Sequence, residues 1–409
     1  MTGDSSATGT LPGPIAPHPA RGPGGALRPR RSDIDWLRVL AMLCVFFFHS
    51  ARFFDDLDWH IKNADHSEVA LTFVGFLSLW LMPLLMLVAG AGSWFALQSK
   101  TGGQYILERS KRLLVPLYTV GLLVLIPPQF YWDQVTKGRF DGSFLEFCTS
   151  FFRTFGLRPG FHFLDFWSGH LWFLRSLFLC SLLSLPLLLY LRSETGRRWI
   201  VRRTGWCGRR GGAFLWALPI VAVQVGLPPL WPGDHGGAEF VFLLVFFLSG
   251  YLLMADARFT RAIQRDGWTG FFLGVFSFLT LAYMVLGQGY QGWQRPDYSL
   301  ASIAFRVIAS VSAWSWVVFF LSLASRHLNS RSRLLEYANE AVLPFYVLHQ
   351  TVILAVGTQV VGWHASIAVK YAVIASVSFV LILALYELAI RRVNACRALF
   401  GMRLKKRAR

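Results

Sequence analysis

The sequence predicts an all-α, polytopic membrane protein, a helical bundle of about ten transmembrane helices with the N-terminus and the C-terminus in the cytoplasm. Three observations lead to this fold class. Of the 409 residues, 54% are hydrophobic and only 15% are charged, whereas soluble domains carry about 25% charged residues. Ten apolar runs approach the roughly 20 residues that a helix needs to cross a bilayer. Basic clusters separate alternate runs, as in membrane proteins whose cytoplasmic loops are positively charged.

The ten runs give the predicted order of the helices. They lie at 36–53, 70–98, 113–131, 171–191, 213–231, 238–255, 270–290, 301–324, 340–360 and 367–391. The second run is long enough to tilt or to kink at Pro83. Two glycine-bearing stretches, Leu87–Trp94 and Val245–Leu252, resemble one another, and their small residues indicate close packing of helices.

The distribution of charge predicts the orientation of the bundle. An inward N-terminus places the following basic residues in inner loops: Lys100, Arg109, Lys111 and Arg112; Arg197, Arg198, Arg202, Arg203, Arg209 and Arg210; Arg258, Arg261 and Arg265; Arg326, Arg331 and Arg333. The alternate loops are acidic or nearly neutral, and the first of them contains Asp55, Asp56 and Asp58. An even number of helices with both ends inside follows. Because the formal charge of +18 is explained by topology, we expect no nucleic-acid partner.

These boundaries divide the chain into three regions. Residues 1–31, rich in Pro, Gly, Ser and Thr, are predicted to be a disordered cytoplasmic tail, residues 32–392 a transmembrane domain, and residues 393–409 a basic cytoplasmic tail. The first apolar run begins at Trp36 and is flanked by arginines, which indicates a retained anchor rather than a cleaved signal peptide. The segment 144–157 is too short to span and is expected to lie in the interface or to re-enter the membrane.

The first predicted helix carries two ionisable residues, Arg38 and His49. An ionisable group in hydrocarbon costs about 3 kcal/mol or more, so such residues are candidates for function. Eleven positions make nearly three helical turns, which places both side chains on one face about 16 Å apart along the axis. This spacing would suit one channel, with Arg38 near the cytoplasmic mouth and His49 in the outer half. In the simpler structural interpretation, Arg38 extends to lipid headgroups and His49 hydrogen-bonds a neighbouring helix.

Further candidates lie on other predicted helices. Arg109 and Arg112 are three residues apart at the start of the third helix, where forked donors could hold a phosphate, although such a cluster can equally be a topology signal. His349 lies mid-span and could serve function or an interhelical hydrogen bond. His170 and Trp172 begin the fourth helix, an aromatic-belt position that needs no special role, and we keep them as weaker substrate-binding candidates.

Other patterns exclude common classes of site. The cysteines have neither zinc spacing nor the pattern of a disulfide framework, so no metal is expected; they are Cys44, Cys148, Cys180, Cys207 and Cys396. Walker A, G-x-S-x-G, H-E-x-x-H and kinase signatures are absent from the sequence. Their absence argues against an ATP-driven pump, a common serine hydrolase and a zinc protease. We interpret Glu387 and Arg391, one turn apart, as a structural pair.

Taken together, the motifs resemble those of the acyltransferase 3 family of polytopic membrane proteins. The resemblance covers about residues 32 to 392 and consists of Arg38-x10-His49, Arg109-x-x-Arg112, Leu171-Trp-Phe-Leu174 and Phe345-Tyr-Val-Leu-His349. The strings around Asp35 and His170 are most similar to the branch that contains the glucans biosynthesis protein C, a succinyltransferase for periplasmic glucans. One departure is Val88-Ala-Gly-Ala-Gly92, where many members carry a Ser-Gly pair.

The resemblance implies an O-acyltransferase of the inner or plasma membrane. It implies transfer of an acyl group, acetyl or succinyl, from cytoplasmic acyl-CoA to a hydroxyl of a glycan or lipid at the outer face, as in polysaccharide modification. The residue matching His49 would be the catalytic base or an acyl relay, and the arginines matching Arg38, Arg109 and Arg112 would handle the donor. We count Arg38 with His49 as a catalytic candidate. The expected partners are acyl-CoA, a glycan or lipid acceptor and membrane lipids, and a homo-oligomer is left open.

Elementary chemistry agrees with that assignment but leaves an alternative. A neutral imidazole, with a pKa of about 6.5, suits removal of a hydroxyl proton at neutral pH. Arginine holds phosphates without titrating, and Arg38 could bind a phosphate or stabilise an oxyanion. The alternative is a secondary transporter or lipid flippase in which Arg38, His49 and His349 form an anion or proton pathway. A scaffold whose arginines only set topology is the third hypothesis.

Overall fold

The protein is all-helical over the residues that the structure describes. The computed structural model describes residues 31–157, 169–231, 236–288 and 297–405. The predicted cytoplasmic tail, residues 1–31, lies outside these ranges except for Arg31. No strand occurs in the described ranges, so the predicted all-α class is confirmed.

Most of the helices are long and apolar. In chain order they are α1 (Ser32–Ala51), α2 (Glu68–Ser99), α3 (Gly102–Thr136), α4 (Phe144–Leu157), α5 (Gly169–Leu183), α6 (Leu185–Arg192), α7 (Glu194–Arg203), α8 (Gly212–Gly226), α9 (Gly237–Ala255), α10 (Ala257–Gln288), α11 (Leu300–His327), α12 (Arg333–Val360), α13 (Ile367–Ile390) and α14 (Asn394–Leu399). Within the described ranges, eight helices are long and apolar enough to cross a membrane, and α5 with α6, bent by 50°, would make a ninth. The predicted multi-pass helical bundle is therefore confirmed, and the count of ten stays a prediction.

Several predicted boundaries are wrong, because apolar runs do not reveal the polar turns that continue a helix. The third helix begins at Gly102 rather than 113, so Arg109 and Arg112 lie inside it rather than before it. Thr101 starts it with a capping box: its side chain accepts from the Gln104 amide, and the Gln104 side chain accepts from the Thr101 amide.

Other boundaries shift for the same reason or because a span is broken. The predicted seventh helix is α10 and begins at 257 instead of 270. The predicted ninth is α12 and begins at 333 instead of 340, and the predicted fifth is α8, which covers 212–226 instead of 213–231. The predicted fourth span, 171–191, is bent by 50° near Ser184, where Pro186 in the following turn has no backbone N–H to donate. By contrast, α2 continues through Pro83.

The helix α4 coincides with the segment that the sequence marked as too short to span. Its 14 residues extend about 21 Å, less than the hydrocarbon thickness of about 30 Å. Phe147 and Phe151 pack against one another and contact aromatic rings of α3. The ring centroids of Phe147 and Tyr131 are 5.7 Å apart, and those of Phe151 and Phe130 are 6.1 Å apart. One side of α4 is thereby attached to the bundle.

The two glycine-bearing stretches meet at a crossing of α2 and α9. A Cβ atom placed on Gly90 would lie 1.8 Å from the carbonyl oxygen of Phe247, and one on Gly250 would lie 1.8 Å from that of Leu87. The two backbones are therefore in direct contact, as at other helix crossings formed by small residues in membranes. The predicted close packing at these residues is confirmed.

Replacing Gly250 by Ala should destabilise this crossing. The added methyl group meets main-chain atoms of α2, which cannot rotate away as a side chain could, so we expect a loss of about 3 kcal/mol, the upper end for overpacked interiors. The melting temperature of the purified variant in detergent measures it. Gly75→Ala, on the partner helix α2 and with open space around its Cβ, is the control. Equal melting temperatures for the two variants would contradict the crossing.

The two ends of the described chain meet at one face of the bundle. On α1, Arg38 donates to the side-chain oxygen of Asn339 at 3.4 Å. After α13, Arg397 donates to the neighbouring Glu340 at 2.7 Å. Both contacts are made to the first turns of α12, so the start of α1 and the C-terminal segment lie on the same face.

Candidate active site

Two histidines from distant parts of the sequence contact each other. His49, on α1, and His349, on α12, lie with Nδ1 of the first 3.1 Å from Nε2 of the second, and their ring centroids are 4.9 Å apart. His349 is fully buried, whereas His49 is partly exposed. The two in-span histidines that the sequence marked separately therefore form one pair.

Backbone carbonyls determine which nitrogens of this pair carry hydrogen. Nδ1 of His49 is 2.9 Å from the carbonyl oxygen of Val45, and Nδ1 of His349 is 2.5 Å from that of Tyr346. Because a carbonyl oxygen only accepts, each Nδ1 must donate. Nε2 of His349 then accepts from Nδ1–H of His49, and the lone pair of His49 lies on its Nε2. That nitrogen makes no hydrogen bond to any described residue, so it is in the form that accepts a proton.

His170 joins the histidine pair from the interior of the bundle, whereas the sequence indicated only an aromatic-belt position that needs no special role. Its Nε2 donates to the carbonyl oxygen of Val347 at 3.1 Å, its ring stands edge-on to that of His349 at 5.0 Å, and its carbonyl oxygen accepts from the Tyr346 hydroxyl. His170 lies in a 3-10 turn, Gly169–Leu171, which begins α5, and it is buried there. Trp172 is partly buried beside Phe173, and its role in binding substrate stays a prediction.

A chain of polar side chains continues from His170 away from the pair. The Gln129 side chain donates to Nδ1 of His170 at 3.3 Å. The Gln350 side chain donates to Oε1 of Gln129 and to Nε2 of His60, each at 3.1 Å. Nδ1 of His60 faces the Asp133 carboxylate at 3.6 Å. Sequence reasoning missed His60, Gln129 and Gln350. Buried amides within apolar runs, at 129 and next to His349, were the available signal.

This chain of polar side chains reaches the loop between α1 and α2. Ion pairs hold that loop in a compact conformation. Arg52 binds the Asp55 carboxylate at 2.5 Å, and Lys62 binds it at 2.7 Å. Burial lowers the pKa of the Lys62 ammonium, although its hydrogen bond to Asp55 acts in the opposite direction. The loop therefore holds His60 at a fixed place at the end of α1 opposite to Arg38.

Arg38, at the other end of α1, points toward α2 and α12. Its guanidinium binds Asp35 at 3.1 Å and Asn339 at 3.4 Å. Its Nη2 lies 3.8 Å from the position that a Cβ on Gly92 would occupy. At 3.8 Å a Cβ here would be in ordinary van der Waals contact, so the position where the sequence departs from the family pattern lies next to the Arg38 guanidinium.

Arg109 and Arg112 lie near Arg38 but are held differently. Arg109 donates to the Ser93 hydroxyl at 2.8 Å and lies over the ring of Tyr105, whose own hydroxyl donates to Ser93. Arg112 is exposed, lies within electrostatic range of Arg38 and Arg109, and makes no hydrogen bond to the described residues. Neither Arg109 nor Arg112 forms an ion pair in the described ranges, although the Glu108 carboxylate lies within electrostatic range of Arg112. Positive charge is thus concentrated here, as an anion site requires.

The structure places the four predicted side chains in two groups. It groups Arg38 with Arg109 and Arg112, and it groups His49 with His349 and His170. The two groups lie at opposite ends of α1, about 16 Å apart along its axis. An anion site and a base are therefore separated by the length of one helix.

Comparison with known families identifies the kind of protein that has these two sites. A family model described as an acyltransferase domain, Acyl_transf_3, matches residues 31–387. The chain belongs to the acyltransferase 3 family. No curated protein and no solved structure matches it. The match supports a multi-pass membrane acyltransferase, and both the histidines and the three arginines of this acyltransferase lie within the matched region.

Replacing His349 by Phe should slow acyl transfer by this acyltransferase. His349 accepts the hydrogen bond that orients His49, and loss of one such bond costs about 1 kcal/mol, or roughly a factor of 5 to 10. We expect kcat to fall by this factor while KM for the donor stays constant, because the ring still fills its buried site. His349→Gln, which keeps an acceptor, should be faster than His349→Phe. Equal rates for the two variants would contradict an orienting role.

Proposed function

We propose that this protein transfers an acyl group from acyl-CoA on the cytoplasmic side to a hydroxyl of a glycan or lipid on the outer side. The observation that carries the proposal is a histidine with an available Nε2 lone pair, about 16 Å from a concentrated group of arginines. Acetyl and succinyl are the acyl groups that the sequence resemblance favours. The glucan branch to which the sequence is similar makes succinyl and a glucan the first pair to be tried.

The orientation proposed here uses all ten predicted helices. Two ends on the same face require an even number of crossings, and the eight long helices with the bent pair α5 and α6 make nine. The short apolar helix Gly212–Gly226 then supplies the tenth. Basic clusters on the face that holds both ends support placing that face in the cytoplasm. Arg38, Arg109 and Arg112 then face the compartment that contains acyl-CoA.

The length of the donor agrees with the distance between the two sites. About 14 bonds separate the nearer phosphorus of coenzyme A from the thioester carbon, which at about 3.4 Å for every three bonds of an extended chain is roughly 16 Å. Arg38 and His49 are about 16 Å apart along α1. A donor whose phosphates contact the arginines would therefore present its thioester to His49. This distance also supports phosphate binding by Arg38 over stabilisation of the oxyanion.

In the proposed reaction His49 moves a single proton. Its Nε2 takes the proton of the acceptor hydroxyl while the hydroxyl oxygen attacks the thioester carbonyl carbon. A C–O bond forms, the C–S bond breaks, and the imidazolium returns the proton to the leaving thiolate. His349 and the Val45 carbonyl oxygen keep Nδ1–H of His49 engaged, so that Nε2 faces the reacting groups.

The acceptor would approach from the end of α1 opposite to Arg38. There the amides of Gln129 and Gln350 and the imidazole of His60 form the polar chain that ends near Asp133. Amide and imidazole groups both donate and accept hydrogen bonds, as a hydroxyl-bearing molecule requires. Family membership supports this enzymatic role over the transporter alternative, which uses the same residues.

Vesicle experiments distinguish the enzyme from a transporter. The purified protein is reconstituted and supplied with radiolabelled acyl-CoA together with glucan or glycerolipid acceptors. Label attached covalently to an acceptor, with one free coenzyme A thiol released for each acyl group transferred, supports the proposal. Label that accumulates unmodified in the vesicle lumen would support the transporter and refute the proposal.

A further inference from the structure

The C-terminal segment 394–405, which lies beyond the family match, packs against the arginines. Gly401 has a φ angle of +66°, a left-handed conformation that favours glycine. A Cβ on this residue would lie 2.6 Å from the carbonyl oxygen of Arg112. The segment and the arginine-bearing turn of α3 are therefore in backbone contact.

Two sets of hydrogen bonds hold this segment in place. Arg397, which is 4% exposed, donates to Glu340 at 2.7 Å, to the Arg403 carbonyl oxygen at 2.7 Å and to that of Arg391 at 3.2 Å. The Asn394 side chain pairs with both the amide and the carbonyl of Lys405, at 2.9 and 3.1 Å. These bonds therefore hold the main chain in place at Arg403 and at Lys405.

The Arg403 side chain, by contrast, remains open to solvent. It is 86% exposed, and its nearest carboxylate, Glu108, is 3.9 Å away and also binds Lys100. Arg112 lies within electrostatic range of Arg403 as well as of Arg38 and Arg109. A cation fixed by its backbone next to other cations, with its guanidinium exposed, is suited to binding an anion.

We propose that Arg403 binds the 3′-phosphate of the donor, so that the C-terminal segment forms part of the acyl-CoA site. This inference rests on the proposed use of acyl-CoA. Arg38 is 33% exposed and Arg403 is 86% exposed, which places Arg403 at the rim of the cluster. The 3′-phosphate is far from the thioester and, as a monoester with a second pKa of about 6, carries nearly two negative charges. The rim position therefore fits the outermost phosphate of the donor.

The test compares acyl-CoA with acyl-3′-dephospho-CoA as donors in neutral, lipid-free detergent. A charge-assisted hydrogen bond contributes about 1.5 to 3 kcal/mol, so for Arg403→Gln we expect KM for acyl-CoA to rise about 10-fold or more. KM for the dephospho donor should not change, and the variant should no longer distinguish the two donors. Arg392→Gln, which removes an equal charge from an exposed position before the segment, should behave as the wild type.

Other outcomes overturn the inference in distinguishable ways. The 3′-phosphate site is refuted if wild-type protein uses both donors with equal KM. It is also refuted if Arg403→Gln raises the KM values for both donors equally, or raises neither of them. In each of these cases the proposed function stands. An effect that appears only in vesicles with anionic lipid would assign Arg403 to lipid headgroups and refute the site. If wild-type protein uses neither donor, the proposed function fails and the site fails with it.

Discussion

Replacing His49 by Ala is expected to lower kcat for acyl transfer by about 10³-fold. Its Nε2 holds the lone pair that would take the acceptor proton, and general base catalysis contributes about 10² to 10⁴ in rate. The described hydrogen bonds of His49 reach only the Val45 carbonyl oxygen and His349. Losing one such interhelical hydrogen bond costs only about 1 kcal/mol, so the variant should still fold and insert. Initial rates of purified variant and wild-type protein, at equal amounts in detergent, measure the effect.

A histidine on an exposed loop provides the control for this prediction. His364, between α12 and α13, is exposed, and His364→Ala should retain wild-type kcat. Unchanged activity in purified His49→Ala protein would show that His49 is not the base, and the proposed reaction would have to be abandoned.

Replacing Arg112 by Gln is expected to raise KM for acyl-CoA about 10- to 100-fold while kcat changes little. This range corresponds to the roughly 1.5 to 3 kcal/mol of a hydrogen bond between charged groups. The guanidinium is exposed and makes no hydrogen bond to a described residue, so its replacement removes no hydrogen bond within the described ranges. The donor would contact it equally in the ground state and in the transition state, which is why KM should change rather than kcat.

The neighbouring Lys111 supplies the matched control. Lys111→Gln removes the same charge one position along the same helix, from a side chain that is exposed and directed elsewhere, and should leave KM within about 2-fold of wild type. Arg109→Gln should differ from both, since Arg109 also holds Ser93 and covers the Tyr105 ring, and should lower thermal stability as well. Equal KM values for Arg112→Gln and Lys111→Gln would contradict the donor site.

The sequence predicted the class of fold and the close packing at Gly90 and Gly250 because each depends on local composition. Apolar runs near bilayer length are visible without knowing any neighbour. The small residues around Gly90 and Gly250 allow close approach whichever helix lies opposite. The helix boundaries were less predictable, since the polar turns of α3, α10 and α12 carry no apolar signal. The capping residue Thr101 was a signal in the sequence, but it indicates a helix start only when Gln104 is considered with it.

The candidate site was predictable only in part, because a sequence places a residue on a helix but does not give the helix its neighbours. His49 and His349 were both marked, yet nothing in positions 300 residues apart shows that they share a hydrogen bond. The contact of His170 with His349 was not predicted, because nothing near position 170 shows that α12 lies opposite it. Arg403 lay in a tail predicted only to be basic, and its position depends on the buried Arg397 and on Gly401.

The central claim is that one donor molecule extends from the arginines to His49, so that donor and acceptor act from opposite sides of the membrane. Its most direct test uses proteoliposomes with the acceptor trapped inside and acyl-CoA added only outside. The vesicles are separated into those whose C-terminal tag faces outward and those whose tag faces the lumen. The account predicts acylation of the trapped acceptor only in vesicles whose C-terminal tag, and therefore arginine cluster, faces the donor. Acylation only when donor and acceptor share one side, or only when the tag faces the lumen, would contradict it.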